Sequence, residues 1–462
     1  MEMGGMSGIG LGHGELVELV RKYNRPGPRY TSYPTALAFT EEVGAEELLV
    51  TTEEETGPLS LYFHLPFCET LCWFCGCNTI ITRDYDQVGE YLGHLEREMD
   101  LYGEWSAAGR PVEQLHFGGG TPNFFPPARI RELGAALHRR FRFADDAECS
   151  VELAPSTLER EHVAAFAEIG MNRASFGIQD TNPEVQKNIH RIQPHAKNRE
   201  TMGWLREHGF ASVNIDLIYG LPGQTVESFR RTLDDVMELE PDRIAVFNYA
   251  HVPWIRPAQK ILERSGLPDA ETRIGLLTSI FESLSGHGFV MIGLDHFARP
   301  GDELVRAREE RTLQRNFQGY STRGGREIAA FGVSSISQTT RAYRQNHKDL
   351  VSYRAALGAG RLPVARGLLV SREDRLRREA IHRILCDLEL DRAAFGEKWG
   401  IDFGEFFAHA REPIEELRED GLLEEEGALL RVTPAGRLFL RNIGMALDPN
   451  LPAGAGRYSR TV

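Results

Sequence analysis

Four of the six cysteines fall within ten residues, in the segment Phe67-Cys68-Glu69-Thr70-Leu71-Cys72-Trp73-Phe74-Cys75-Gly76-Cys77-Asn78. Three and then two residues separate Cys68, Cys72 and Cys75. Thiolates at that spacing on a loop can grip three corners of a cubic four-iron cluster, because iron–sulfur centres are held by cysteine sulfur on compact turns. The fourth iron is then open. An open iron can chelate a ligand, and a cluster at low potential can pass one electron into it. Zinc is the competing occupant, but structural zinc draws its ligands in two pairs a dozen or more residues apart, which four cysteines in ten residues fit poorly. Disulfides between such close neighbours would be strained. Cys77 could ligate in place of another cysteine, stand behind the ligands, or donate a proton or hydrogen. Cys149 and Cys386 are isolated and read as small buried apolar residues.

A scaffold must hold that loop. Short apolar segments at 61–65, 115–118, 150–154, 174–178, 213–219, 244–249 and 289–293 read as strands. Between them, windows 91–105, 127–141, 158–169, 197–207, 225–239 and 272–287 carry helical periodicity. Alternation of this kind implies parallel strands with right-handed crossovers, and six or more such units curl into a full or partial (β/α) barrel. A doubly wound open sheet is the competing α/β architecture. Both place ligands at the carboxyl ends of the strands, and polar and glycine residues collect there. The first strand leads to the cysteines, the second to Gly118-Gly119-Gly120-Thr121-Pro122, and the third carries Glu152. The fourth ends at Gln179-Asp180, and the fifth carries Asp216 and ends at Gly220-Leu221-Pro222-Gly223. The sixth ends at Asn248-Tyr249-Ala250-His251 and the seventh at Asp295-His296.

After about residue 345 the pattern changes to helices (374–386, 391–399, 403–420) with a small hairpin closed by 429–433, similar in outline to a winged helix. This predicts an N-terminal arm over 1–50, a catalytic domain over 51–345 and a mainly helical C-terminal domain over 346–462. Residues 371–446 hold 12 Lys and Arg against 17 Asp and Glu, which argues against reading DNA. The whole chain carries a net charge of -14, so a broad nucleic-acid face or an anionic membrane surface is disfavoured. Met1 to Gly14 lacks the pattern of a signal peptide, and no run of about 18 apolar residues is present. The expected address is the cytoplasm.

Beyond the cysteine spacing, further stretches carry a resemblance. They are Pro28-Arg29-Tyr30-Thr31-Ser32-Tyr33-Pro34-Thr35, Tyr62-Phe63-His64-Leu65-Pro66, Asn214-Ile215-Asp216-Leu217-Ile218-Tyr219-Gly220, Phe247-Asn248-Tyr249-Ala250-His251, Gly293-Leu294-Asp295-His296, Arg315-Asn316-Phe317-Gln318-Gly319-Tyr320 and Gly332-Val333-Ser334-Ser335-Ile336-Ser337. In this order, over residues 24–462, the chain resembles the oxygen-independent coproporphyrinogen III oxidases of the radical S-adenosylmethionine superfamily. The resemblance implies a partial parallel barrel of the radical SAM type. It implies oxidative decarboxylation of two propionate side chains of coproporphyrinogen III to vinyl groups, giving protoporphyrinogen IX in heme biosynthesis by way of a 5′-deoxyadenosyl radical. A heme-binding chaperone of the same superfamily is the alternative. It typically lacks the fourth cysteine and the Pro-Arg-Tyr-Thr-Ser-Tyr-Pro arm, both present here.

The same resemblance implies a [4Fe–4S] cluster on Cys68, Cys72 and Cys75 and two molecules of S-adenosylmethionine. Tyr62, Phe74, Gly119 and Glu152 would contact the first. Gly120, Thr121, Gln179, Arg191, Asp216, Ala250 and Ile336 would contact the second. Cys77 and Tyr30 are the candidate catalytic residues. An electron donor such as flavodoxin or ferredoxin is implied, and a monomer is expected. Because the substrate is a tetracarboxylate, Arg29, Arg299 and Arg315 are candidate partners for its propionates. One departure stands out: the family usually reads Glu-x-Asp-Pro-Arg where this chain has Glu152-Leu153-Ala154-Pro155-Ser156. Trp73 replaces a common tyrosine.

Overall fold

The computed structural model describes residues 11–451 and 458–461. The first ten residues of the expected arm, the segment 452–457 and Val462 lie outside the described residues. β1 (Leu59–Leu65), β2 (Pro111–Gly119), β3 (Arg142–Leu153), β4 (Arg173–Gln179), β5 (Ser212–Tyr219) and β6 (Arg243–Asn248) follow one another in space as in sequence, each parallel to the last. Helices Asp86–Gly103, Pro127–Arg140, Arg160–Glu168, His195–Glu207 and Val226–Met237 connect them. A strand order that never reverses, joined by crossovers of one hand, puts every connecting helix on the same face. The sheet therefore curls into a partial barrel rather than an open doubly wound sheet.

Period-two alternation sorts the side chains. On β5 Val213, Ile215 and Leu217 are buried beneath the helices, whereas Asn214, Asp216 and Ile218 are only partly buried on the concave face. The same alternation on β3 hides Cys149, Val151 and Leu153 and leaves Ser150 and Glu152 inside the barrel. Parallel register then aligns the concave residues: Tyr62 lies beside His116, His116 beside Ser150, Glu152 beside Ser175, and Ser175 beside Asn214.

Three expectations change. The seventh predicted strand, β7 (Val290–Gly293), is not the neighbour of β6. Leu294, at φ +45, turns the chain back so that β8 (His296–Ala298) pairs antiparallel with both β6 and β7 and pushes β7 to the edge. A strand absent from the sequence reading, β9 (Glu327–Phe331), pairs parallel with the free side of β1 and is buried throughout. The sheet also runs past residue 345, through β10 (Ile336–Gln338) and β11 (Ala342–Asn346), to β12 (Val364–Leu369). Helices dominate only from Arg372.

The C-terminal region holds helices Arg372–Asp387, Arg392–Trp399, Phe403–Phe406, Arg411–Glu419 and Leu440–Ala446 around a three-stranded antiparallel sheet. The single helix expected over 403–420 is broken at Phe407–Ala410. Pro413 cannot donate to the preceding turn, so it stands near the start of a fresh helix. The arm docks here. Tyr23 donates to Asp420 at 2.5 Å, Asn442 donates to the Tyr23 carbonyl at 2.8 Å, and the buried Arg441 donates to the carbonyls of Gly27, Pro28, Ser459, Arg460 and Thr461. Among the described residues no helix is long and apolar enough to cross a membrane.

Candidate active site

The cysteine loop leaves the carboxyl end of β1 and is pinned from below. Trp73 N–H donates to the Ile189 carbonyl at 3.1 Å, His190 Nδ1 meets the Leu71 carbonyl at 2.9 Å, and Gln259 donates to the Phe74 carbonyl at 2.9 Å. Arg256 donates to the Gly76 carbonyl through two nitrogens at 3.0 and 2.7 Å. Trp73 stacks on His190 at 4.9 Å. Every cysteine among the described residues is free.

The sulfur atoms sit in unlike surroundings. Burial pushes the Cys68 thiol up to about 11, although Thr121 Oγ1 lies 3.2 Å away. Burial also raises Cys72, against the pull of Arg191, whose Nη1 is 3.8 Å from its sulfur. Cys75 is held below the ordinary thiol value, chiefly by the Cys77 thiol and also by the Cys77 backbone N–H at 3.4 Å. Among the described residues no three His, Cys, Asp or Glu side chains converge on a point that one metal ion could share. Thiolates that hold separate corners of a cube need no such common point.

Above the loop lies the glycine run. Gly119 has φ +112, and a Cβ there would sit 2.6 Å from the His64 ring. A Cβ on Gly120 would meet the Pro66 carbonyl at 2.5 Å, and one on Gly118 the Glu152 carboxyl at 3.0 Å. Only glycine lets this backbone pass so close to its neighbours. Glu152 accepts from Gly119 N–H at 3.3 Å and contacts His116 Nε2 at 3.2 Å. Burial raises its pKa, but the His116 and Gly119 contacts outweigh that and hold it below the ordinary carboxylate value. His116 stacks on Tyr62 at 5.8 Å, and Tyr62 OH meets His64 Nδ1 at 3.1 Å.

A second group faces it across the barrel. Asp216 accepts from Ser175 at 3.0 Å and from Asn214 at 2.7 Å, and burial followed by the Glu152 charge pushes it up to about 6. Arg191 donates to the Gly177 carbonyl at 2.8 Å. Gln179 is buried at φ +68, and its Oε1, like Arg191 Nε, has no hydrogen-bond partner among the described residues.

The rim therefore gathers Cys68, Cys72, Cys75, Cys77, Tyr62, Phe74, Gly119, Gly120, Thr121, Glu152, Gln179, Arg191 and Asp216 at the ends of consecutive strands. Ala250 follows β6 on the same rim, and Ile336 packs with Phe39 and Tyr343 where β9 gives way to β10. Tyr30 turns into the packing between the arm and the C-terminal region. It is 1% exposed, donates to Asp448 at 3.0 Å, and shares that carboxylate with Tyr33. Arg299 lies elsewhere: its backbone N–H bonds the Asp242 carbonyl and its guanidinium covers Phe289, at the amino end of β6. Sequence reading missed His64, His116, Ser175 and Asn214. Two of these stand two positions before a chosen residue, His116 before Gly118 and Asn214 before Asp216, and period two was the signal that could have found them.

A partial parallel barrel with three cysteines, a glycine run and paired carboxylates on one rim defines a radical SAM protein, and residues 62–236 match the Radical SAM superfamily. Residues 370–439 match the HemN C-terminal domain. The oxygen-independent coproporphyrinogen III oxidase of Synechocystis is 41% identical over 441 residues, covering 94% of this chain and 95% of that protein. The Escherichia coli oxidase is 42% identical over 447 residues, covering 96% and 98%. The solved E. coli coproporphyrinogen III oxidase (HemN), described as a radical SAM enzyme, superposes with a TM-score of 0.88 at 42% identity, covering 92% of this chain and 98% of that one. The chain belongs to the oxygen-independent coproporphyrinogen III oxidase family.

Membership implies a [4Fe–4S] cluster and S-adenosylmethionine. The residues fit them. Three free thiols stand on a pinned loop, a Cβ would fill the cradle at Gly119 and Gly120, and two buried polar atoms at Gln179 and Arg191 await a partner.

Proposed function

We propose that this chain decarboxylates two propionate side chains of coproporphyrinogen III to vinyl groups without oxygen, yielding protoporphyrinogen IX for heme biosynthesis. The observation that carries this reading is the convergence of the cysteine loop, the glycine run, Glu152 and Asp216 on one rim, in a chain that aligns with the E. coli oxidase over 96% of its length. When bound, the cluster and S-adenosylmethionine supply one electron and a 5′-deoxyadenosyl radical able to take hydrogen from a propionate carbon.

The protein's own residues bind, orient and shield. Cys68, Cys72 and Cys75 hold the cluster. Tyr62, Phe74, Gly119 and Glu152 receive one S-adenosylmethionine, with Glu152 kept ionised to accept from ribose hydroxyls. Gly120, Thr121, Gln179, Arg191, Asp216, Ala250 and Ile336 receive a second, where Arg191 can pair with a carboxylate. Cys77, the fourth cysteine of the loop, gives up a proton or hydrogen. Tyr30 is the second catalytic candidate, on the arm that docks on the C-terminal region. The division of labour is an N-terminal arm, a catalytic sheet domain carried to Leu369 by β12, and a helical C-terminal domain. A flavodoxin or ferredoxin supplies the electron to a cytoplasmic monomer.

The test is anaerobic reconstitution followed by iron and sulfide analysis. Incubation with reductant and S-adenosylmethionine should then form 5′-deoxyadenosine and protoporphyrinogen only when coproporphyrinogen III is present. Tight heme binding with no decarboxylation would assign the chain to the chaperone reading instead.

A further inference from the structure

Arg29 and Arg315 come together near the carboxyl ends of β6 and β7. Arg29 comes from the arm, crosses Phe247 at 5.6 Å and donates to the Asn248 carbonyl at 3.1 Å. Arg315 comes from the hairpin strand Gln314–Asn316, stacks over Tyr320 at 4.9 Å, and donates through Nε to the Arg29 carbonyl at 3.4 Å. His296 closes the group, edge-on to Phe247 at 5.7 Å and to Tyr320 at 5.2 Å.

The charges in this group do not balance. Asp295 pairs with Arg29 at 3.4 Å. Arg315 is 4% exposed, and its Nη1 has no hydrogen-bond partner among the described residues; neither has His296 Nδ1. A buried cation with an unpaired donor is costly, and removal from water is repaid only by an opposite charge in good geometry. Phe247, His296 and Tyr320 are all partly exposed, which leaves a route for such a charge.

We propose that Arg315, with Arg29 and His296, forms the subsite for one carboxylate of the substrate, a propionate that is anchored rather than decarboxylated. The inference rests on the proposed function and deepens it. A propionate oxygen accepts from Arg315 Nη1, and His296 donates to it from Nδ1 as the neutral ring. Burial and the two guanidiniums push the His296 pKa down to about 3, so the ring stays neutral and brings no charge of its own. The subsite lies at the carboxyl end of β6, and the segment that follows β6 reaches the cysteine loop through Arg256 and Gln259, so a macrocycle anchored here extends along the rim toward Cys77.

The test measures binding of coproporphyrinogen III to the anaerobic holoenzyme by ultrafiltration, together with steady-state kinetics. Arg315→Gln should raise both Kd and KM for coproporphyrinogen III by about tenfold or more, the loss of a charge-assisted hydrogen bond, while kcat changes far less. Arg315→Lys should recover much of the affinity, which a purely structural role would not predict. Arg29→Gln, at a more exposed position, gives a second reading should Arg315→Gln not fold, and the surface variant Arg230→Gln should match wild type. Wild-type Kd and KM in Arg315→Gln, or in Arg29→Gln if only that variant folds, would overturn the subsite while leaving the function intact. A wild-type enzyme that neither binds nor converts coproporphyrinogen III would overturn both.

Discussion

Arg191 ties the fourth strand to the cysteine loop, donating from Nη2 to the Gly177 carbonyl at 2.8 Å while Nη1 reaches Cys72 Sγ at 3.8 Å. Replacing it by leucine removes a charge from beside the loop and leaves the Gly177 carbonyl with Gln193 Nε2 at 3.1 Å as its remaining side-chain donor. Arg191→Leu is expected to keep most of its iron and sulfide, since the three cysteines remain. It should bind S-adenosylmethionine at least about tenfold more weakly. Chemical analysis of iron and equilibrium binding of the cofactor check the two halves separately.

Cys72 and Cys77 should behave differently. Cys72→Ala is expected to lose the four-iron absorbance after reconstitution. Cys77→Ala should retain it, yet form porphyrinogen product at least about tenfold more slowly, the usual contribution of a positioned proton donor being about a hundredfold or more. Electron paramagnetic resonance of the reduced proteins and product analysis distinguish them. Loss of the cluster in Cys77→Ala would make it a ligand.

Gly119→Ala places a methyl group 2.6 Å from the His64 ring at a backbone φ of +112. The strained backbone costs on the order of 1–3 kcal/mol, and His64 must move, taking Tyr62 with it. The expected result is a lower Tm and weaker binding of S-adenosylmethionine, whereas Gly93→Ala, inside a helix where a Cβ meets nothing within 4 Å, should hold or raise Tm and leave binding unchanged.

Glu98 makes stability depend on pH. Burial pushes its pKa up to about 7, although Tyr353 OH at 2.6 Å, Gly332 N–H at 2.8 Å and Asn346 at 2.6 Å all donate to it. The folded chain holds this proton more tightly than the unfolded chain does, so the stability it contributes is greatest below about 4.5 and falls as pH rises toward 7. Glu98→Gln cannot ionise. It should flatten that part of the Tm profile between pH 5 and 7.5, which thermal denaturation at several pH values will show.

Much of the rim was legible because strand ends mark themselves. Gly118-Gly119-Gly120 and Gly220-Leu221-Pro222-Gly223 punctuate apolar runs, and Glu152 and Asp216 stand at polar positions of period-two strands. Partners were harder to see. Ser175 and Asn214 look like any small polar residues until the fold brings both into hydrogen bonds with Asp216. β9 escaped because five buried residues between glycines carry no alternation, its two faces both being covered. The position of β7 depended on one residue, Leu294, adopting a left-handed turn that nothing in its type announces. Tyr30 read as a residue near the reacting groups, but its hydroxyl is claimed by Asp448, 418 positions away.

Arg441 collects carbonyl oxygens from Gly27 and Pro28 near one terminus and from Ser459, Arg460 and Thr461 near the other. Whatever disturbs Ser459, Arg460 or Thr461 would therefore loosen Gly27 and Pro28 as well, and be felt at the adjacent Arg29, and so in how the macrocycle is received.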